Sequence, residues 1–295
     1  MNLFELLKSC SVTSLEDMQL PTYLMGSFRR KSISFFNGLT DEKTTVYWFQ
    51  SKSFSIDLRL SDPMYTPISE RQGWIGDTIW DSEKELLSWN IRESYQPRIQ
   101  WPEPAKLFPI GNCILEFAPS GAYVEDWRQQ SSSGLFCGLR LYQTEHLHSQ
   151  QKFAMDGGLI IAGEHLAYVQ SRLPFAQQQL ENISVLNDAI QNQQIDASFV
   201  ENYQVSIALN GQTIQFSTQS CLVNTTLDLD NFEMDNLGNI TQIKEIEGVL
   251  YRLYFSLDMY QPDFQFEQQT STTASAQQWL DQEKSHLLKH AVIVK

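Results

Sequence analysis

The sequence predicts a mostly β protein whose chain folds into two antiparallel β-barrels with a few helices. Short segments rich in β-branched and aromatic residues recur along the chain, separated by turn-forming dipeptides such as Asn37-Gly38. Helical patterns are few and stand beside the strand-rich parts, which argues against a parallel sheet. The length of 295 residues suits two domains of ordinary size. Closure into barrels removes the exposed edges that many short strands would otherwise leave.

The strongest strand pattern lies at 54–60. Phe54, Ile56 and Leu58 alternate there with polar residues, which places the apolar side chains on one face of a sheet. A sheet with one apolar face is antiparallel and packs on one side. In the first half, strands are further predicted at 28–36, 46–50, 86–93, 113–118 and 122–129, with long proline- and glycine-containing loops at 61–83 and 95–111.

A short polar stretch at 131–134 predicts the boundary between the halves, because runs of serine and glycine behave as linkers. A helical arm at 1–25 precedes the first barrel, which we assign to 26–132. The second barrel is assigned to 133–295 and includes a C-terminal helix. The chain is therefore expected to form two folding units.

The two halves resemble each other in their hydrophobic spacing. Segment 47–59 matches 159–172 closely, and each runs soon into a proline, which indicates an internal duplication. Two ordinary hairpins that look alike by chance are the alternative. The second half is predicted to contain strands at 135–143, 159–162, 166–171, 203–209, 213–217 and 249–257, one helix at 175–192, and a terminal helix after Ser275 with an apolar face of Trp279, Leu280, Leu287 and Leu288.

The charge and targeting patterns exclude several classes of function. A formal charge of −14 and a pI near 4.7 make nucleic acid and anionic membranes unlikely partners, because phosphates require clustered lysine and arginine. The four cysteines are scattered without a Cys-x-x-Cys pair. No secretory pattern and no apolar run of about 18 residues is found. We therefore expect a cytoplasmic protein without a cofactor or a metal site.

Six of the seven tryptophans lie between residues 48 and 127. A well-packed core in the first half is one interpretation of this cluster. The other is an aromatic-lined pocket, which small barrels often provide at their mouths for an apolar or planar ligand. The six are Trp48, Trp74, Trp80, Trp89, Trp101 and Trp127.

Polar residues on the same strands offer the few anchors that such a pocket needs. Asp57 and Arg59 share one strand face, as do Tyr123, Glu125 and Trp127. If these faces point into the barrel, Arg59 can meet Glu125 or a ligand carboxylate through its planar fork. If they point outward, the groups form surface ion pairs of little energetic value. The candidate ligand-binding residues are Trp48, Asp57, Arg59, Trp74, Trp89, Tyr123, Glu125 and Trp127.

Four segments of the chain, in order, are similar to motifs of one family. Residues 45–60 (TVYWFQSKSFSIDLRL) resemble its VYWLQT-x-LY-x-D-x-R stretch, and 72–76 (QGWIG) its Q-x-GFAG stretch. Residues 122–127 (AYVEDW) resemble Y-x-E-x-W, and 157–172 resembles GVLVVAGD-x-F-x-Y. This is the Hri family, which groups uncharacterised bacterial proteins with a fungal protein named as an interactor of a casein-kinase-1-type kinase.

The resemblance covers about 27–175 and implies tandem calycin-like, that is lipocalin-like, barrels without an established activity. Trp74 stands where the family has Phe, and Ser55 where it has Tyr. No glycine-rich phosphate loop or Gly-x-Ser-x-Gly elbow occurs, so an enzyme is not favoured. We expect a binding protein that holds a small apolar or amphipathic ligand in the first barrel. The alternative is a protein-interaction scaffold whose barrels are filled by side chains.

Overall fold

The computed structural model describes residues 1–16, 18–98, 103–235 and 238–292. Strands make up 45% of the chain and helices 16%, which confirms the mostly β class. After a short helix α1 (Leu3–Leu7), the first sheet contains β1 (Gly26–Phe35), β2 (Thr40–Asp41), β3 (Thr45–Gln50), β4 (Phe54–Leu60), β5 (Gln72–Asp81), β6 (Leu86–Asn90), β7 (Ala105–Ile110), β8 (Cys113–Phe117) and β9 (Tyr123–Gln129).

The first sheet closes into an eight-stranded antiparallel barrel. Strands β3 to β9 pair with their sequence neighbours, and β1 pairs with both β3 and β9. Phe28, for example, lies opposite Trp48 on one side and Gln129 on the other. The two-residue strand β2 extends the edge of β1 outside this ring. The predicted barrel in the first half is confirmed.

Two of the predicted loops contain strands. β5 lies inside 61–83 and β7 inside 95–111, so both loop predictions were wrong in part. The glycines that suggested a loop serve close packing instead: a Cβ atom on Gly73 would lie 2.7 Å from Cγ2 of Val205 in the second half. Glycine in a strand often marks such an approach.

The second half forms an open sheet, and a second closed barrel is not confirmed. Its edge strands β14 (Ile214–Ser217) and β15 (Phe232–Met234) form no ladder within the described residues, and the isolated bridge Thr213–Thr226 lies between them. The chain between these strands runs as turns and loops. The sheet order is β14-β13-β12-β11-β10-β17-β16-β15, with β10 (Ser133–His146), β11 (Lys152–Ala162), β12 (His165–Gln170), β13 (Gln204–Ala208), β14 (Ile214–Ser217), β15 (Phe232–Met234), β16 (Ile240–Ile246) and β17 (Val249–Gln265).

The other α-helices of the described residues belong to the second half. The predicted helix at 175–192 is interrupted, because the chain leaves α2 (Pro174–Leu180) before it enters α3 (Leu186–Gln191). Thr273, rather than Ser275, caps the terminal helix by accepting a hydrogen bond from the Ala276 N–H. Within the described ranges, no helix is long and apolar enough to cross a membrane. The helices are α2 (Pro174–Leu180), α3 (Leu186–Gln191), α4 (Ala197–Glu201) and α5 (Ala274–Leu287).

The barrel packs its outer wall against the second sheet. Phe54, Ile56 and Leu58 of β4 belong to a core that also includes Ile160 and Val205 of the second half. Their alternation therefore marks the outside of the barrel, and Asp57 and Arg59 point inward. The N-terminal arm joins the second half as well, because the Leu3 N–H donates to the Leu229 carbonyl at 2.8 Å.

The similar segments of the two halves face different ways. Phe54 lies between the sheets, whereas its predicted counterpart Leu166 packs in a separate core within the second sheet. A strand has a side-chain period of two, so an offset of one residue reverses the face. The residue-by-residue match proposed for 47–59 and 159–172 is therefore out of register.

Candidate functional site

A cavity of about 340 Å³ opens at one end of the barrel; we call it the barrel cavity. Arg59 lies near the end of β4 and Tyr123 at the start of β9. Because neighbouring strands are antiparallel, these termini meet at the same end of the barrel. All eight predicted site residues line the cavity, together with Ile33, Phe35 and Glu116, which the sequence analysis did not select.

Indole rings form the wall of the barrel cavity. Trp48 stacks on Phe28 at 5.1 Å between ring centroids and meets the edges of Trp89 and Trp127 at 6.5 and 5.6 Å. Trp74 meets Trp89 at 6.0 Å. The tryptophan cluster thus packs as a core and also lines a cavity. Trp80 does not line the cavity, and Trp101 lies outside the described residues.

Asp57 and Arg59 form a paired charge inside the barrel. Arg59 Nε donates to Asp57 Oδ1 at 2.8 Å, and Nη2 donates to Oδ2 at 3.3 Å. Asp57 lies opposite Trp48 on β3 and Trp74 on β5, and its side chain is buried. Of the two alternatives for this strand face, the inward one is observed.

Glu125 is held from the neighbouring strand β1. Arg30 Nη1 donates to Glu125 Oε1 at 2.7 Å, and both side chains are 6% exposed. Arg30 also reaches Asp41 at 3.3 Å. Glu125, or a ligand carboxylate, was predicted to meet Arg59; Glu125 forms its ion pair with Arg30, and its charge also raises the pKa of Arg59.

Glu116 is the charged lining residue that the sequence analysis missed. It faces Glu125 directly across the β8–β9 ladder, and its Oε2 accepts the indole N–H of Trp127 at 3.0 Å. Burial, reinforced by the charge of Glu125, raises the pKa of Glu116 to about 8. The alternation Ile114, Glu116 on a strand predicted at 113–118 was the available signal for an inward side chain.

Several polar atoms around the barrel cavity have no hydrogen-bond partner among the described residues. The indole N–H groups of Trp48 and Trp89 are buried and donate to no acceptor among the described residues. Buried polar groups are normally paired, and exceptions often mark a functional position.

The described lining of the barrel cavity contains no serine, cysteine or histidine. Nucleophilic catalysis by these residue types has no support there. Across the described ranges, no group of three or more histidine, cysteine or acidic side chains is placed to hold a metal ion. The chemistry that the arrangement supports is recognition of an apolar body together with a polar or charged group.

A second cavity of about 270 Å³ lies in the second half and has a different lining. Gln170, Gln204 and Gln219 contribute amides to it, and no tryptophan lines it. Beside it, the Lys244 ammonium lies 4.2 Å from the ring centroid of Tyr168 and donates to the phenol oxygen at 3.1 Å. This cavity is therefore less suited to an apolar ligand than the barrel cavity.

Comparison of the chain with family models, with curated proteins and with solved structures finds no match.

Proposed function

We propose that this chain is a non-enzymatic binding protein that holds a small apolar or amphipathic molecule in the barrel cavity. The observation that carries the proposal is a space of about 340 Å³ walled by indole rings and furnished with few polar groups. Ligand pockets typically range from about 300 to 1,000 Å³ and combine apolar walls with a small number of polar anchors. The cavity lies at the lower end of that range, which favours a compact ligand.

The architecture supports a further proposal about descent. In the first sheet β1 lies between β3 and the final strand β9, and in the second β10 lies between β11 and the final strand β17. This shared neighbour order supports a duplicated, calycin-like origin and membership of the Hri family. In the second half the corresponding ring is interrupted between β14 and β15.

The alternative is a protein-interaction scaffold, and one observation favours it. Helix α5 has no buried residue, and Trp279 on it is 56% exposed. Exposed apolar side chains on an amphipathic helix are a common mark of partner binding. The open volume in the first barrel argues against the version in which that barrel is filled by side chains.

Tryptophan fluorescence tests ligand binding directly. Fatty acids, hydrophobic dyes and tetrapyrroles are titrated into the purified protein, and a ligand should quench or shift the emission saturably. We expect Trp48→Leu to weaken that response at least tenfold, because the substitution removes an aromatic wall. Trp89→Phe provides a milder variant if Trp48→Leu is poorly folded.

The matched control is Trp279→Leu, which alters an exposed tryptophan that does not line the barrel cavity. It should leave the affinity unchanged. If no compound binds with a Kd below about 100 μM, or if Trp279→Leu weakens binding as much as Trp48→Leu, the ligand-binding proposal fails.

A further inference from the structure

The polar atoms of the barrel cavity are unequally divided between donors and acceptors. Glu116 is 5% exposed, and its Oε2 accepts the indole N–H of Trp127. Glu125 is 4% exposed and uses one oxygen for Arg30. The cavity thus offers carboxyl acceptors that its own side chains do not saturate, and an occupant with donors or positive charge would satisfy them.

The strand register makes this arrangement costly in the absence of an occupant. Glu116 and Glu125 are directly opposite each other on β8 and β9, and both point inward. Like charges at opposed positions of an antiparallel pair are destabilising. The chain nevertheless places both carboxyl groups on the inner wall of a barrel.

The charges do not balance when all three carboxyl groups of the lining are ionised. Asp57, Glu116 and Glu125 line the cavity, and two arginines contact them: Arg59 pairs with Asp57, and Arg30 pairs with Glu125. Arg59 also lowers the pKa of Glu116 electrostatically, but burial and the charge of Glu125 outweigh it and raise that pKa to about 8. A cation from outside the chain would balance the third carboxylate.

The aromatic walls of the barrel cavity also suit a cation. Trp48, Trp74 and Trp89 line the same cavity as the carboxyl groups, with Tyr123 and Trp127 on the strand that carries Glu125. Tryptophan is the best aromatic partner for a cation, and cages of such rings recognise alkylammonium groups.

We infer that the occupant of the barrel cavity is an organic cation, a protonated amine or quaternary ammonium group on a compact apolar body, with its charge between the indole rings and the Glu116 carboxylate. This inference rests on the proposed function and names its ligand class. Binding of the cation and release of the Glu116 proton are coupled. The charged and titratable groups that face Glu116 are Glu125, Asp57, Arg59 and Tyr123, with the Trp127 N–H bonded to it.

A matched set of ligands tests the sign of the charge. 4-Phenylbutylamine, 4-phenylbutyltrimethylammonium, 4-phenylbutanol and 5-phenylpentanoate share one apolar body and differ in the head group. Isothermal titration calorimetry at a pH of about 8.5, near which Glu116 is largely ionised, should show both cations binding at least about tenfold more tightly than the alcohol, or 1.4 kcal/mol. The carboxylate should bind more weakly than the alcohol.

Two variants locate the effect. Glu116→Gln keeps the shape of the side chain and removes its charge, so the preference for cations over the alcohol should fall below about threefold while alcohol binding persists. The control Asp126→Asn removes a carboxylate from the adjacent position on β9, whose side chain pairs with Arg128 outside the barrel. It should leave the preference intact. The affinity of the quaternary compound should also rise with pH, by up to about tenfold per unit below the pKa of Glu116.

The outcomes separate this inference from the proposed function. If the alcohol or the carboxylate binds as tightly as the cations, the cation inference is overturned while ligand binding in the barrel cavity stands. If Glu116→Gln retains the full preference, the charge is recognised elsewhere and the inference is also overturned. If none of the four compounds binds, both proposals fail for ligands of this size.

Discussion

Arg172 joins the two halves, and its removal should be the most damaging single substitution of an arginine in this chain. The side chain is 2% exposed and donates to four backbone carbonyl groups. Ser94 and Tyr95, which accept at 3.1 and 2.8 Å, lie between β6 and β7 of the barrel. Phe199 and Val200, which accept at 3.0 and 2.7 Å, belong to α4 of the second half.

The expected loss follows from these partners. In Arg172→Met the apolar stem is retained, but the four carbonyl groups lose a charged donor. A buried polar group left unpaired costs about 1–3 kcal/mol. Part of this loss is offset because the variant no longer pays the desolvation penalty of a buried guanidinium. We expect the free energy of unfolding to fall by about 2–4 kcal/mol, because several carbonyl groups lose their donor at once while the Val200 carbonyl keeps the Tyr203 N–H. Arg172→Lys keeps the charge but lacks the planar fork, so it should lose less.

Urea denaturation provides the assay. Trp fluorescence reports mainly on the first half, which holds six of the seven tryptophans, and far-UV circular dichroism reports on both halves. The two probes should shift together in Arg172→Met because the contact spans the halves. Arg92→Met is the control, since its side chain is 66% exposed and makes one ion pair at 3.3 Å. A loss for Arg172→Met below about 1 kcal/mol, or no larger than for Arg92→Met, would refute this assignment.

Two further predictions concern the barrel cavity. Arg59→Ala should lower the free energy of unfolding by about 1–3 kcal/mol, because it leaves the buried Asp57 carboxylate without the guanidinium that pairs with it. The control is Arg128→Ala, which removes the same i, i+2 ion pair on the outer face of the barrel and should cost no more than about 1 kcal/mol. Equal losses in denaturant melts would contradict the prediction. Because the folded-state pKa of Glu116 is raised, its neutral form stabilises the fold at low pH, and this contribution is lost as pH rises from about 4.5 to about 8. The free energy of unfolding of Glu116→Gln should therefore fall less than that of the wild type between these pH values. An identical pH dependence of the two proteins would contradict this prediction.

The sequence predicted which side chains come together more successfully than it predicted where they point. A period of two placed Asp57 with Arg59, and Glu125 with Trp127, on shared faces, and the barrel brings both faces to one cavity. The direction of the faces could not be decided from alternation alone. In β4 both faces are buried, one by the second sheet and one by the barrel, so the apolar face marks the outside.

The missed features depend on contacts between distant parts of the chain. Glu116 carries meaning only through its position opposite Glu125, which is set by the β8–β9 register. β5 was obscured because Gly73 and Gly76 are typical of loops, yet Gly73 is required by the approach of Val205 from the second half. The break between β14 and β15 likewise reflects a connection whose course no local pattern specifies.

The outer wall of the first barrel buries apolar side chains, which bears on how part of its lumen stays open. An eight-stranded barrel has an interior that is just wide enough to be filled by side chains or to hold one small ligand. Here Phe54, Ile56 and Leu58 are buried on the outer wall, where the second sheet covers them. That packing supplies apolar burial at about 25 cal/mol per Å² without using the lumen. The inner wall near the mouth is therefore able to carry indole rings and carboxyl groups instead of a close-packed core, and the second half contributes to the site by covering the barrel from outside.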